Sequence, residues 1–144
     1  MTDEELIREL IRNRIEAMRR KDAAAAIESL DDDIVAFELL GPLRVASAQA
    51  RDVAAFQSWL DSWEGPVDTE IRDLQVHVAG DVAFCHSLMR LRGQRPGGAH
   101  VDFWMRSTFG FRRRGDVWRI VHAHTSVPIH ADGTFRAAID LQPE

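Results

Sequence analysis

The sequence lacks the features that mark several large classes of protein. Its single cysteine, Cys85, excludes an internal disulfide. No apolar run approaches the roughly 20 residues of a membrane-spanning helix. The amino terminus is acidic, without the basic and apolar regions of a secretory signal, which predicts a cytoplasmic protein with no membrane partner. Glycine-rich phosphate loops and cysteine pairs are also missing, so the commonest nucleotide and structural-zinc signatures are absent.

Basic side chains are fewer than acidic ones. The chain has 18 basic and 23 acidic side chains and a net charge of -5, which argues against a nucleic-acid partner. The one arginine run, residues 112–114, precedes Gly115 and Asp116 at a predicted hairpin tip, where solvation of the turn explains it. A length of 144 residues with 45% apolar content predicts one domain over residues 1–144 with a continuous core.

Three helices are predicted in the first half of the chain. Apolar residues recur at helical spacing over Thr2–Lys21, and Thr2 with Glu5 can form a capping box at its start. A short alanine-rich helix is predicted over Asp22–Leu30. A third helix is predicted over Ala48–Trp63.

Strands are predicted before and after the third helix. One covers Ile34–Leu40, and the pattern changes to a strand period after Pro66. Short turns between long strands imply antiparallel neighbours, so helices followed by a meander predict an α+β fold. The tail from His130 is interpreted as a turn and a short extension. The remaining predicted strands are Thr69–Ala79, Val82–Arg92, His100–Arg113 and Val117–Val127.

Alternation of side chains along the strands predicts a small-molecule pocket on one sheet face. An arginine buried there needs an anionic partner, which is either a substrate or a carboxylate such as Glu38 or Asp102. Trp59 and Trp63 on the third helix are interpreted as further apolar walls. The residues grouped on the predicted pocket face are His86, Leu88, Trp104, Arg106, Thr108, Trp118, Ile120, His122, His124 and Ser126.

Two strand segments carry a family resemblance. Trp104-x-Arg106-x-Thr108, followed by Trp118-x-Ile120-x-His122-x-His124-x-Ser126-Val127-Pro128, resembles the SnoaL-like or ketosteroid-isomerase-like branch of the nuclear transport factor 2-like superfamily. The resemblance extends over nearly the whole chain. It implies a cone-shaped α+β barrel whose strongly curved antiparallel sheet wraps around the N-terminal helices. It also implies a homodimer formed through the outer face of the sheet.

The resemblance defines a pocket but leaves the activity open. The sequence has no tyrosine, which excludes the tyrosine-based oxyanion hole of ketosteroid isomerases. One hypothesis is an acid–base enzyme without metal or organic cofactor, in which Glu38 acts as base and Arg106, His122 and His124 polarise the substrate. We expect Arg106 and His122 to face inward in that case.

Two other functions stay open at this point. A noncatalytic ligand-binding or assembly domain requires only a pocket of complementary shape and charge. A metal site would use His122 and His124, two residues apart on one strand, with His86 and Glu38 completing the set.

Overall fold

The computed structural model describes all residues 1–144. Helices and strands follow the predicted order, with most helical structure first and a meander of long strands second. None of the helices has both the length and the apolar character needed to span a bilayer. The helices are α1 Asp3–Arg19, α2 Ala23–Ile27, α3 Ser47–Ala50 and α4 Val53–Asp61, and the strands are β1 Leu30–Phe37, β2 Glu64–Ala79, β3 Val82–Gln94, β4 His100–Arg114 and β5 Val117–Ser126.

The five strands form one curved sheet in the order β1-β5-β4-β3-β2. Neighbours from β2 to β5 are antiparallel, as predicted from their short turns. β1 instead pairs with β5 in parallel, so the sheet is mixed. The connection that contains α3 and α4 allows this arrangement, because it carries the chain from β1 at one edge to β2 at the other.

Helix α1 begins with the predicted capping box. Thr2 Oγ1 accepts a hydrogen bond from the Glu5 amide (3.2 Å), and Glu5 Oε2 accepts one from the Thr2 amide (2.7 Å). The apolar side of α1 then packs on one face of the sheet, where Ile7 and Ile11 are buried. We call this the inner face, and the opposite one the outer face.

Two apolar clusters fill the space between the helices and the inner face. The first joins α1 to the middle strands, and the second lies under α4 at the start of β2. Cys85 is buried in the first cluster, and burial raises the pKa of its thiol to about 11, so it packs as an apolar side chain. The first cluster contains Ile7, Ile11, Ile27, Leu30, Ile34, Ala83, Cys85, Phe109, Phe111, Trp118 and Ile120, and the second contains Ala23, Leu60, Trp63 and Val67.

β1 starts four residues earlier than predicted. Asp31 belongs to the strand because its buried carboxylate accepts hydrogen bonds from Arg114 Nε (2.9 Å) and Nη2 (3.2 Å). These bonds hold the pKa of Asp31 below its usual range. The arginine run therefore contributes a structural ion pair.

The predicted third helix is two helices. Residues 51 and 52 separate α3 from α4, because the Asp52 carboxylate accepts a hydrogen bond from the Ala55 amide (3.0 Å) and starts a new helix. Asp52 thus acts as an N-cap in the middle of a continuous apolar pattern.

A β-bulge in β5 changes which residues share a face. Phe111 pairs with Ile120, whereas Gly110 pairs with His122, so Val121 is an extra residue on β5. Side chains before and after it consequently follow opposite alternations. Trp118 and Ile120 face inward with the first cluster, and His122 and the residues in step with it face outward.

Candidate functional site

Three hydroxyl side chains lie side by side on the inner face. Ser87 of β3 is opposite Ser107 of β4, which is opposite Thr125 of β5. Paired residues on antiparallel strands place their Cβ atoms about 5 Å apart, so the three form a continuous hydroxyl row. Ser107 is 3% exposed and its Oγ has no hydrogen-bond partner. Since buried hydroxyls normally have a partner, Ser107 holds an unused donor and acceptor inside the protein.

The hydroxyl row separates the two apolar clusters. On β3, Cys85 belongs to the first cluster and Leu91 packs against the second. On β4, Phe109 and Val101 take the same two places. Buried Met105 lies beside the row between the clusters. The result is a mostly apolar interior crossed by a few polar groups, which is the composition of small-molecule sites.

Glu38 lies at the β1 end of this row. It directly follows Phe37 and continues the alternation of buried Ile34 and Ala36, which places it on the inner side. Glu38 and Thr125 line one groove of about 430 Å³ at the edge of the sheet. An exposed carboxylate thus stands where the interior meets solvent.

Arg14 supplies a cation from the helix side. α1 runs along the strands, since Asp3 pairs with Arg113 (3.1 Å) at one end and Arg19 with Asp68 (2.8 Å) at the other. Arg14 lies about two-thirds of the way along the helix.

The guanidinium of Arg14 has neutral partners. Its Nη1 donates to the carbonyl oxygen of Ala26 (2.6 Å) and to Ser29 Oγ (3.3 Å). Burial lowers the pKa of Arg14 to about 10, and the charge of Glu38 acts in the opposite direction. Arg14 stays protonated at neutral pH, and Glu38 is the carboxylate whose charge raises its pKa.

Aromatic side chains close the far end of the interior, where Trp59 and Trp63 were predicted. The Trp63 ring packs edge-to-face on the Trp59 ring (5.7 Å between centroids), and the Arg95 guanidinium covers it at 4.7 Å. A Cβ on Gly93 would lie 2.6 Å from the Trp63 ring, so only glycine fits beneath the indole. The buried Trp63 Nε1 has no hydrogen-bond partner, like Ser107 Oγ.

The prediction that Arg106 faces inward is wrong. Arg106 pairs with Leu88 and Ser126 on the outer face and is exposed, whereas its neighbours Met105 and Ser107 are buried. The physical reason is that β4 buries its more apolar alternation. His86, Leu88, Trp104 and Thr108 lie on the outer face with Arg106.

His122 also faces outward, contrary to prediction, and so does His124. His122 Nδ1 donates to the carbonyl oxygen of Val35 (2.7 Å), and the Phe37 ring packs edge-to-face on both imidazoles (4.8 and 5.5 Å). His124 borders the groove that contains Glu38, but His122 does not. The bulge at Val121 is the reason that both imidazoles face outward.

The histidine set considered for a metal is not assembled. His86 lies on β3, two strands away from His122 and His124 on β5. His86 instead stacks near His77, with ring centroids 5.9 Å apart. No group of three or more His, Cys, Asp or Glu side chains is arranged to hold a metal ion.

The interior site combines a carboxylate, a cation and buried hydroxyl groups. A carboxylate can accept a proton from a bound molecule, and donors fixed in a buried site stabilise negative charge that develops on an oxygen. Of the residues predicted from the sequence, five lie on the inner side of the sheet: Glu38, Trp59, Trp63, Trp118 and Ile120. Arg14, Ser87, Ser107 and Thr125 were missed.

The sequence contains a signal for two of the missed residues. Arg14 interrupts the apolar stripe of α1, three residues after Ile11 and four before Met18. Ser107 interrupts the apolar alternation between Met105 and Phe109. A polar residue inside an apolar pattern indicates a buried polar group, which needs a hydrogen-bond or charge partner.

The curved sheet wrapped around N-terminal helices defines a fold of the nuclear transport factor 2-like class. The chain is similar to the crystal structure of an NTF2-like protein of unknown function from Pseudomonas putida KT2440, with 32% identity, 99% of both chains covered and a TM-score of 0.83. The profile of the SnoaL-like domain matches residues 7–130. The chain therefore belongs to the SnoaL-like family, as the sequence motifs indicated.

More distant structures share the fold alone. A putative dehydratase of the NTF2-like family from Streptomyces avermitilis is 19% identical over 86% of this chain and 95% of its own, with a TM-score of 0.73. A putative calcium/calmodulin-dependent protein kinase II association domain from Xanthomonas campestris is 18% identical over 83% and 84%, with a TM-score of 0.70. None of the curated proteins is similar enough to count as a match.

Proposed function

We propose that the protein is an acid–base enzyme that binds a small, largely apolar carbonyl compound between α1 and the inner face. Glu38 removes a proton from the carbon next to the carbonyl group. The C–H electron pair forms a carbon–carbon double bond, and the carbonyl π electrons move to the oxygen. Arg14 and the Ser107 hydroxyl stabilise the resulting enolate oxygen. Returning a proton from Glu38 to the same carbon completes an exchange without a cofactor. In a β,γ-unsaturated ketone, returning it to the γ-carbon completes an isomerisation.

Charge balance is the observation that carries this proposal. Arg14 is a protonated interior cation with neutral hydrogen-bond partners, and Glu38 is the carboxylate whose charge affects it. With a neutral carbonyl compound bound, the two charges cancel. After proton transfer Glu38 is neutral and the enolate takes over its negative charge opposite Arg14. The charge of Arg14 is therefore compensated before and after the step.

Exchange of α-protons for deuterium tests this function whichever product the enzyme forms. The protein is incubated with 2-butanone or cyclohexanone in D₂O, and loss of the α-proton signals is followed by NMR. We expect faster exchange than in buffer with an equal concentration of carboxylate. Binding of the ketones without faster exchange would support a noncatalytic ligand-binding domain instead, and neither binding nor exchange would reject the proposed ligand class.

We also propose that two copies associate through the outer face. Five strands spaced about 4.8 Å apart, counted over about ten residues each, present roughly 800 Å², the area that one partner contributes to a stable interface. All helices lie on the other face. Val35, Phe37, Val82 and Phe84 are 36%, 38%, 57% and 49% exposed on the outer face, and an uncovered apolar surface of this extent is unusual on a monomer.

Light scattering at micromolar concentration tests the dimer. We expect twice the chain mass of 16.3 kDa. Phe84→Arg should halve the measured mass, because it places a charge among the exposed apolar side chains of the outer face. Phe135→Arg, in the C-terminal tail where Phe135 is 77% exposed, is the matched control and should leave the mass unchanged. A monomeric wild-type protein would contradict this proposal.

A further inference from the structure

A leucine-rich loop borders the entrance beside Glu38. This leucine loop, residues 38–44, is closed at its base by two hydrogen bonds between Ala36 and Val45, of 3.0 and 2.8 Å. Val45 is buried at 5% exposure, so the base of the loop is anchored to the interior. The leucines themselves are not buried by the rest of the chain, since Leu39, Leu40 and Leu43 are 37%, 77% and 97% exposed.

The leucine loop forms the apolar wall of the groove that Glu38 and Thr125 share. The groove measures about 430 Å³ and also contains Phe37 and Val127. Glu38 is the only acidic residue that lines the groove, and no lysine or arginine lines it. The groove is thus polar at one end, where it meets the hydroxyl row, and apolar along the loop.

We propose that the leucine loop binds the unbranched alkyl chain of an amphipathic ketone whose carbonyl end lies between Glu38 and Arg14. This inference rests on the proposed function and names its substrate class. A compact ketone bound beside Glu38 would leave Leu40 and Leu43 in water. A linear chain leaving the interior beside Glu38 covers both leucines, and burial of their apolar surface contributes to binding. The negative charge of Glu38 at the entrance favours a neutral chain over a fatty acid.

A series of 2-alkanones tests the inference. Binding of 2-hexanone, 2-octanone and 2-decanone is measured by calorimetry. We expect the dissociation constant to fall about fourfold for each added methylene group. In a Leu40→Ser/Leu43→Ser double variant, the dissociation constant should become nearly independent of chain length. An Ile139→Ser/Leu141→Ser variant, which removes exposed apolar side chains of the C-terminal tail (52% and 49% exposed), should keep the wild-type dependence.

The outcomes separate this inference from the proposed function. Proton exchange of cyclohexanone without any chain-length dependence overturns the role of the leucine loop and leaves the enzyme proposal standing. Absence of both exchange and ketone binding would overturn the proposed function and the inference about the leucine loop. An unchanged chain-length dependence in the Leu40→Ser/Leu43→Ser variant, with a halved molecular mass, would show that a second copy covers the loop, and would also overturn the inference.

Discussion

Replacing Phe111 by alanine is expected to lower the free energy of unfolding by about 3–5 kcal/mol. Phe111 is 0% exposed, packs edge-to-face on Phe109 with centroids 6.2 Å apart, and belongs to the cluster that joins α1 to the sheet. Truncation would leave a cavity between elements that cannot collapse around it. Native domains are stable by only about 5–15 kcal/mol, so the variant should lose a large part of its stability.

Phe84→Ala is the matched control, measured by urea denaturation at one low protein concentration. Phe84 is opposite Gly110 on the neighbouring strand and is 49% exposed on the outer face. Its main ring contact is with His77, at 4.8 Å. We expect a loss of at most about 1 kcal/mol, as for a half-exposed side chain. Equal losses in the two variants would contradict the assignment of inner and outer faces.

The second large effect is expected at Glu38. Glu38→Gln retains the size of the side chain but removes the proton acceptor, so α-proton exchange should fall by about 10²–10⁴-fold. The dissociation constant for 2-octanone should change little, because glutamine leaves the shape of the groove unaltered. Glu64→Gln, at an exposed carboxylate where β2 begins, should exchange at the wild-type rate.

Arg14→Met provides a second measurement of the same step. We expect it to slow exchange as well, because the enolate oxygen would lose the cation that compensates it. A wild-type exchange rate in Glu38→Gln would show that another group accepts the proton, and would reject the mechanism. Loss of exchange together with loss of ketone binding would instead indicate that Glu38 shapes the groove.

Local signals in the sequence were enough for most of the fold. The capping box at Thr2, the apolar stripe of α1 and the hairpin turn at Gly115 depend on residues close together in the chain, and each was predicted correctly. The start of β1 was not predicted correctly, because Asp31 is held in the strand by an ion pair with Arg114, which is 83 residues away. Such a partner leaves no trace in local periodicity.

The site was harder to predict than the fold, because it depends on which sheet face is inner. The motif residues Trp104, Arg106 and His122 suggested a pocket wall, but β4 buries Met105, Ser107 and their apolar neighbours instead. Apolar content alone would have favoured that alternation. The position of the bulge was beyond local reasoning, because it is defined by pairing between strands.

The bulge at Val121 changes which alternation of side chains in β5 faces inward. Without the bulge, the same sequence would alternate without interruption from Ile120, which would turn His122, His124 and Ser126 towards the interior and Ala123 and Thr125 towards the outside. The bulge therefore assigns His122 and His124 to the outer face and Thr125 to the inner face of the same strand. Substitutions of the outward imidazoles change the outer face, while Thr125 stays on the inner face opposite Ser107. A single backbone irregularity thus determines which side chains of β5 face the helices and which face outward.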